Sequence, residues 1–134
     1  MRRYGRCLLA LLAIVAVSFT AWARALAVDD KDFCVAAQQL ALATEKDVGL
    51  WTDRVTRNAG MVVTCPTKTV VFKRFTYASS PSMDKAWKER KAAEWNASHC
   101  GRSLWAEAIR DKWNVVLSVT AADGGNASFT ARCP

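Results

Sequence analysis

Four cysteines, Cys34, Cys65, Cys100 and Cys133, constrain this chain more than any other feature, because an even set of cysteines in an exported chain reads as two disulfides. Export is read from the first 27 residues. Arg2, Arg3 and Arg6 precede an apolar run from Leu8 to Val17, and Ala25-Leu26-Ala27 has the small-x-small pattern of a signal-peptidase site. Ala21-Trp22-Ala23 offers an alternative cut. The apolar run is shorter than the roughly 18 residues of a membrane-spanning helix, so no transmembrane anchor is expected after cleavage. The fifth cysteine, Cys7, leaves with the leader. It precedes the apolar run instead of standing at the cut, which argues against a bacterial lipoprotein. The expected domains are therefore a signal peptide, 1–27, and one small α+β domain, 28–134.

Removing the leader changes the charge argument. Four of the 19 basic residues (Arg2, Arg3, Arg6, Arg24) lie in it and none of the 12 acidic ones, so the mature chain carries a net charge of +3. That is too little for the electrostatic footprint of a specific nucleic-acid binder. The 107 residues that remain are enough for one core, and small enough to gain from disulfide staples.

Asp29, Asp30 and Asp32 precede a segment from Phe33 to Lys46 in which Phe33, Ala37, Leu40, Ala41 and Thr44 recur at helical spacing. The acids suit the positive end of that helix and read as a solvated start, not a metal site. After Gly49 the pattern predicts strands over Leu50–Thr56, Met61–Cys65 and Thr69–Tyr77, with a turn at Arg57-Asn58-Ala59-Gly60 and another at Pro66-Thr67-Lys68. Ala78 to Ser82 is the expected hinge between halves. Beyond it Met83, Trp87, Lys91 and Trp95 form a helical stripe expected to pack on a sheet. His99-Cys100-Gly101 breaks that helix, and Ser103 starts another with Leu104, Trp105, Ala108 and Ile109 on one side. Val115, Leu117, Val119 and Ala121 then alternate, Asp123-Gly124-Gly125-Asn126 turns the chain, and the returning strand aligns Phe129, Ala131 and Cys133. The order α-β-β-β-α-α-β-β predicts an α+β fold: an antiparallel sheet of about five strands with helices on one face, stapled by disulfides.

Each half then holds one cysteine near a helix end and one at the close of a strand. This favours Cys34 with Cys65 and Cys100 with Cys133, although crossed pairings stay open because spacing alone does not fix connectivity.

Little catalytic chemistry is on offer. His99 is the single histidine, the cysteines lack Cys-x-x-Cys spacing, and no phosphate-cradling glycine loop precedes a helix, so neither a metal nor a cofactor is implied. Glu89, Glu94 and Glu107 stand in helices beside basic residues and read as solvated ion pairs. Asn96-Ala97-Ser98 and Asn126-Ala127-Ser128 match the glycosylation acceptor, while the arginine-led, alanine-rich leader fits a bacterial exporter. Five tryptophans remain in the mature chain, and aromatic and arginine side chains dominate interface energetics. The expectation is a small periplasmic or secreted protein-binding domain that partners another protein as an inhibitor, immunity factor or accessory subunit of an envelope or secretion system. It is not expected to be an enzyme, and Lys85, Lys88, Arg90 and Arg102 are its candidate binding residues. The alternative is a secreted hydrolase or nuclease that uses a glutamate with His99.

Overall fold

A computed structural model describes residues 29–134; the leader and Val28 lie outside the described residues. Helix α1 spans Asp30–Ala43, strands β1 and β2 span Thr56–Thr64 and Thr69–Thr76, helices α2 and α3 span Lys85–Cys100 and Ser103–Arg110, and strands β3 and β4 span Asn114–Ala121 and Asn126–Thr130. The class is α+β, as the sequence predicts, but the sheet has four strands in the order β1-β2-β3-β4 and is mixed. β1 pairs with β2 and β3 with β4 antiparallel, while the central β2–β3 pair is parallel.

Two local errors account for the lost strand. Leu50–Thr56 does not form a strand, because Asp53 Oδ1 accepts the N–H of Val55 at 2.9 Å and Thr52 N–H bonds Thr56 O at 2.8 Å, closing a turn in its middle. Ahead of Thr56, where β1 begins, Trp51 alone keeps a bridge, to Arg57. Conversely, Arg57 to Gly60 is not a turn. β1 runs through it on a bulge between Asn58 and Gly60, where Gly60 takes a φ of 108° and its N–H bonds Asn58 Oδ1 at 3.0 Å. The parallel pairing has a simpler cause. A connection made of two helices returns the chain to the end of the sheet where β2 began, so β3 must run alongside β2 in the same direction.

The helices follow their capping chemistry. Asp29 caps α1, its side chain accepting from Lys31 N–H at 2.9 Å, and Asp84 caps α2 through Trp87 N–H at 2.8 Å. Gly101 closes α2 where the sequence places it, yet with an ordinary helical φ of −78°. Its missing side chain matters for space instead, since a Cβ there would stand 3.1 Å from Ala97 O.

All helices cover one face of the sheet. Phe33 and Ala37 of α1 meet Val70, Val115, Trp105, Trp113 and Ala131, with Phe33 edge-on to Trp113 at 4.6 Å and to Trp105 at 5.6 Å. A second cluster joins Met83, Leu117, Val119, Ala127 and Phe129, with Trp87 and Trp95 packed against it. The Met83–Trp87–Trp95 stripe is thus packing, and Trp95 Nε1 also donates to Val115 O at 3.1 Å.

Cys34 pairs with Cys65 and Cys100 with Cys133, at Cα separations of 5.8 and 5.4 Å. Each bridge stays within one half of the chain. No helix among the described residues is long and apolar enough to cross a membrane.

Candidate functional site

Two surfaces combine exposed apolar area with charge. The first begins in β2. Its helix-facing residues start apolar, with Val70 fully buried and Phe72 beneath Trp95, His99 and Trp105. The same face then turns polar at Arg74 and Thr76. Arg74 donates to Asn58 Oδ1 at 2.8 Å, across the β1–β2 ladder, and to Lys73 O at 3.0 Å. Burial lowers its pKa from the ordinary arginine range, yet a guanidinium remains charged. Between these residues and α2 lies a cleft of about 330 Å³ whose apolar side is made by Trp87, Trp95, Leu117 and Val119.

The other charges at this cleft have local partners. Lys91 Nζ holds Glu94 at 2.9 Å. Burial acts to raise the pKa of Asp53, but its hydrogen bonds from the Val55 N–H and from Thr56 outweigh that and hold the carboxyl below the usual 3.8. Arg74 has no carboxylate in contact among the described residues.

The second surface lies on the opposite face of the sheet, where Val62, Lys73, Thr120, Asn126 and Ser128 are exposed. Trp51, Arg57, Phe75, Thr120 and Asn126 line up in one row across it by strand register. At the end of that row the Arg57 guanidinium stacks 4.1 Å from the Trp51 ring centroid and 5.5 Å from that of Tyr77. Tyr77 packs on Trp51 at 5.6 Å and edge-on to Phe75 at 5.1 Å. Both outer rings remain open to solvent, Trp51 at 54% and Tyr77 at 53%. Val48, Leu50 and Val55, all exposed, come from the same loop.

Lys85, Lys88, Arg90 and Arg102 are all exposed, but they do not form one group. Lys85 and Lys88 share the first turn of α2, where Lys85 reaches Glu89 at 3.7 Å. Arg90 is turned about 200° around the helix from Lys88, and Arg102 lies in the α2–α3 connection.

His99 is buried, 8% exposed, its ring 3.9 Å from that of Trp95. Its Nδ1 meets Trp95 O at 3.0 Å and Ser98 Oγ at 3.2 Å; the carbonyl can only accept, so Nδ1 carries the proton. Desolvation, first, and the nearby Arg102 charge depress its pKa below 6.5, against the opposing bond to Trp95 O. No glutamate is among its hydrogen-bond partners in the described residues. The glycosylation-type asparagines also make tertiary bonds, Asn96 Oδ1 accepting Arg132 N–H at 2.8 Å and Asn126 Nδ2 reaching Thr120 Oγ1 at 3.1 Å.

The Trp51–Arg57–Tyr77 stack is hidden in the sequence because Arg57-Asn58-Ala59-Gly60 has the composition of a turn. The signal was present in the alternation Thr56, Asn58 against Arg57, which a strand through the bulge would have put on opposite faces.

No protein-family model matches this chain, and no curated protein sequence matches it. Among solved structures it is similar to a Pseudomonas aeruginosa protein provisionally described as secreted, with a TM-score of 0.60 and 11% sequence identity over 75% of this chain and 89% of that one. At this identity the likeness is one of fold.

Proposed function

We propose that the chain is an exported, disulfide-stapled domain that binds another protein through the Trp51–Arg57–Tyr77 stack and the open sheet face beside it. The single observation behind this reading is the stack itself. Tryptophan, tyrosine and arginine are the residue types that dominate interface energetics, and here all three are held in a fixed arrangement while two rings stay about half open. Val48, Leu50 and Val55 of the same loop add exposed apolar area near it.

Export rests on the arginine-led leader with its small-x-small site, on two disulfides that suit an oxidising compartment, and on the description of the similar Pseudomonas protein. The location is periplasmic or secreted, and the role is that of an inhibitor, immunity factor or accessory subunit of an envelope or secretion system. In this reading Lys85 and Lys88 are outlying charges that steer a partner more than they hold it. The hydrolase alternative draws no support from the surroundings of His99.

The test is cross-linking of the tagged protein in its own cell envelope, with identification and affinity measurement of the proteins retained. Trp51→Ala should weaken the specific partner by at least about tenfold. Lys85→Glu with Lys88→Glu should slow association at low salt and leave dissociation nearly unchanged. Equal retention of the same partners by Trp51→Ala would overturn the assignment of this surface.

A further inference from the structure

We propose that the cleft between α2 and the β1–β2 end of the sheet binds a carboxylate joined to an apolar body, with Arg74 as the carboxylate receptor. This site is separate from the Trp51 stack and stands or falls without it. Three of the four charged groups at the cleft are already satisfied: Lys91 and Glu94 by each other, Asp53 by the turn it closes. Arg74 is the exception. Two neutral acceptors, Asn58 Oδ1 and Lys73 O, both take their hydrogen bonds from one terminal nitrogen of its guanidinium, Nη1.

A half-buried guanidinium without an acid is costly in its own right, and a carboxylate is the ligand that matches it. Its two oxygens fit the planar fork of donors in a way a single point charge does not. Asn58 acts as a positioning residue: the β-bulge places it directly across from Arg74, and the 2.8 Å bond fixes the plane of the fork. Trp87, Trp95, Leu117 and Val119 give the other side of the cleft an apolar wall, so a bare inorganic anion would leave that wall unused. The volume, about 330 Å³, suits a ligand the size of one amino-acid residue with its carboxylate, near the lower end for small-molecule pockets. The same chemistry is offered by a free aryl- or alkyl-carboxylate and by the last residue of a peptide.

The experiment is a titration of the isotopically labelled mature protein, followed by amide and indole resonances, with N-acetyl-L-phenylalanine and separately with its C-terminal amide. Saturable shifts at the Trp87 indole and along β2 with the acid, and at least about tenfold weaker binding of the amide, are expected. Arg74→Gln should bring the acid down to the level of the amide, while Arg74→Lys should retain part of the affinity. Should Arg74→Gln fail to fold, the comparison of acid with amide on the unaltered protein still decides the matter. A tripeptide ending in phenylalanine that binds more tightly than the acid identifies a peptide terminus as the source, and equal binding identifies a small carboxylate. Equal binding of acid and amide, binding unaffected by Arg74→Gln in a folded variant, or no saturable shift at millimolar ligand would overturn the proposal.

Discussion

Trp113 donates its indole Nε1–H to Asp30 Oδ1 at 3.0 Å, joining residues 83 positions apart. Lys68 completes the junction, forming an ion pair with the same carboxylate and donating to Asp111 O at 3.2 Å. The first turn of α1, the β1–β2 connection and the start of β3 therefore meet at one side chain. The acid that reads in sequence as a solvated helix start is a tertiary anchor.

That anchor sets a pH dependence. The hydrogen bond from Lys68, then that from Trp113, hold Asp30 below its ordinary 3.8. A carboxyl depressed in the folded state contributes stability that is fully present above the unfolded value and lost as pH falls through the folded one. Asp30→Asn should lower the Tm at neutral pH, and the gap to the unaltered protein should narrow as the pH falls below 3.8. Thermal melts across this range check it, and a gap constant with pH would remove the ion pair as its cause.

Desolvation depresses the pKa of folded His99, so its linkage also works against acid. Its contribution is present above the unfolded value of 6.5 and lost as pH falls through the folded one. His99→Phe keeps an aromatic ring among Phe72, Trp95 and Trp105 and removes the titration. Measured at about pH 7 and again at about pH 5, the unaltered protein should lose stability relative to this variant as the pH falls below 6.5. Denaturant midpoints at the two pH values measure the difference, and parallel pH profiles would show that His99 protonation is not coupled to unfolding.

Phe33 is 2% exposed and touches both Trp105 and Trp113, so it links α1 to the second half of the chain. Phe33→Ala should cost about 3–5 kcal/mol, the range for emptying an aromatic site in a packed core. Chemical denaturation followed by tryptophan fluorescence gives the value directly. A loss below about 1 kcal/mol would mean that α1 contributes little to the core.

The Cys100–Cys133 bridge closes 33 residues and ties the end of α2 to the chain leaving β4. Replacing both cysteines with serine should cost roughly 3–4 kcal/mol on the chain-entropy estimate. Non-reducing peptide mapping should find Cys34 linked to Cys65 and Cys100 to Cys133 in the unaltered protein; a crossed peptide would refute the pairing.

Much of this fold is legible in the sequence where periodicity and capping agree. Val115, Leu117, Val119 and Ala121 alternate cleanly and are all buried, and the Asp123–Gly124 turn has the required positive φ at Gly124. The Leu50–Gly60 stretch reads wrongly because two signals conflict there. Its β-branched and aromatic content favours a strand where Asp53 makes a turn, and Asn-Ala-Gly favours a turn where a bulge carries the strand onward. The error conceals both surfaces, since one uses Arg57 and the other Asn58 and Arg74. Exposure of Trp51 is not legible at all, because a tryptophan beside a strand is as easily core as surface until the register is known.

The parallel β2–β3 ladder has one further consequence, which concerns covalent topology. Neither disulfide crosses it, so a protease cut within Ala78–Ser82 would leave two pieces, each internally stapled, held together by that ladder and by noncovalent contacts such as those of Phe33 and Phe72 with Trp105 and of Asp30 with Trp113. Such pieces would separate in denaturant without any reductant and could recombine on dilution. The Ala78–Ser82 connection is thus the natural point at which to divide the protein into complementing fragments, each bringing its own hairpin and its own disulfide.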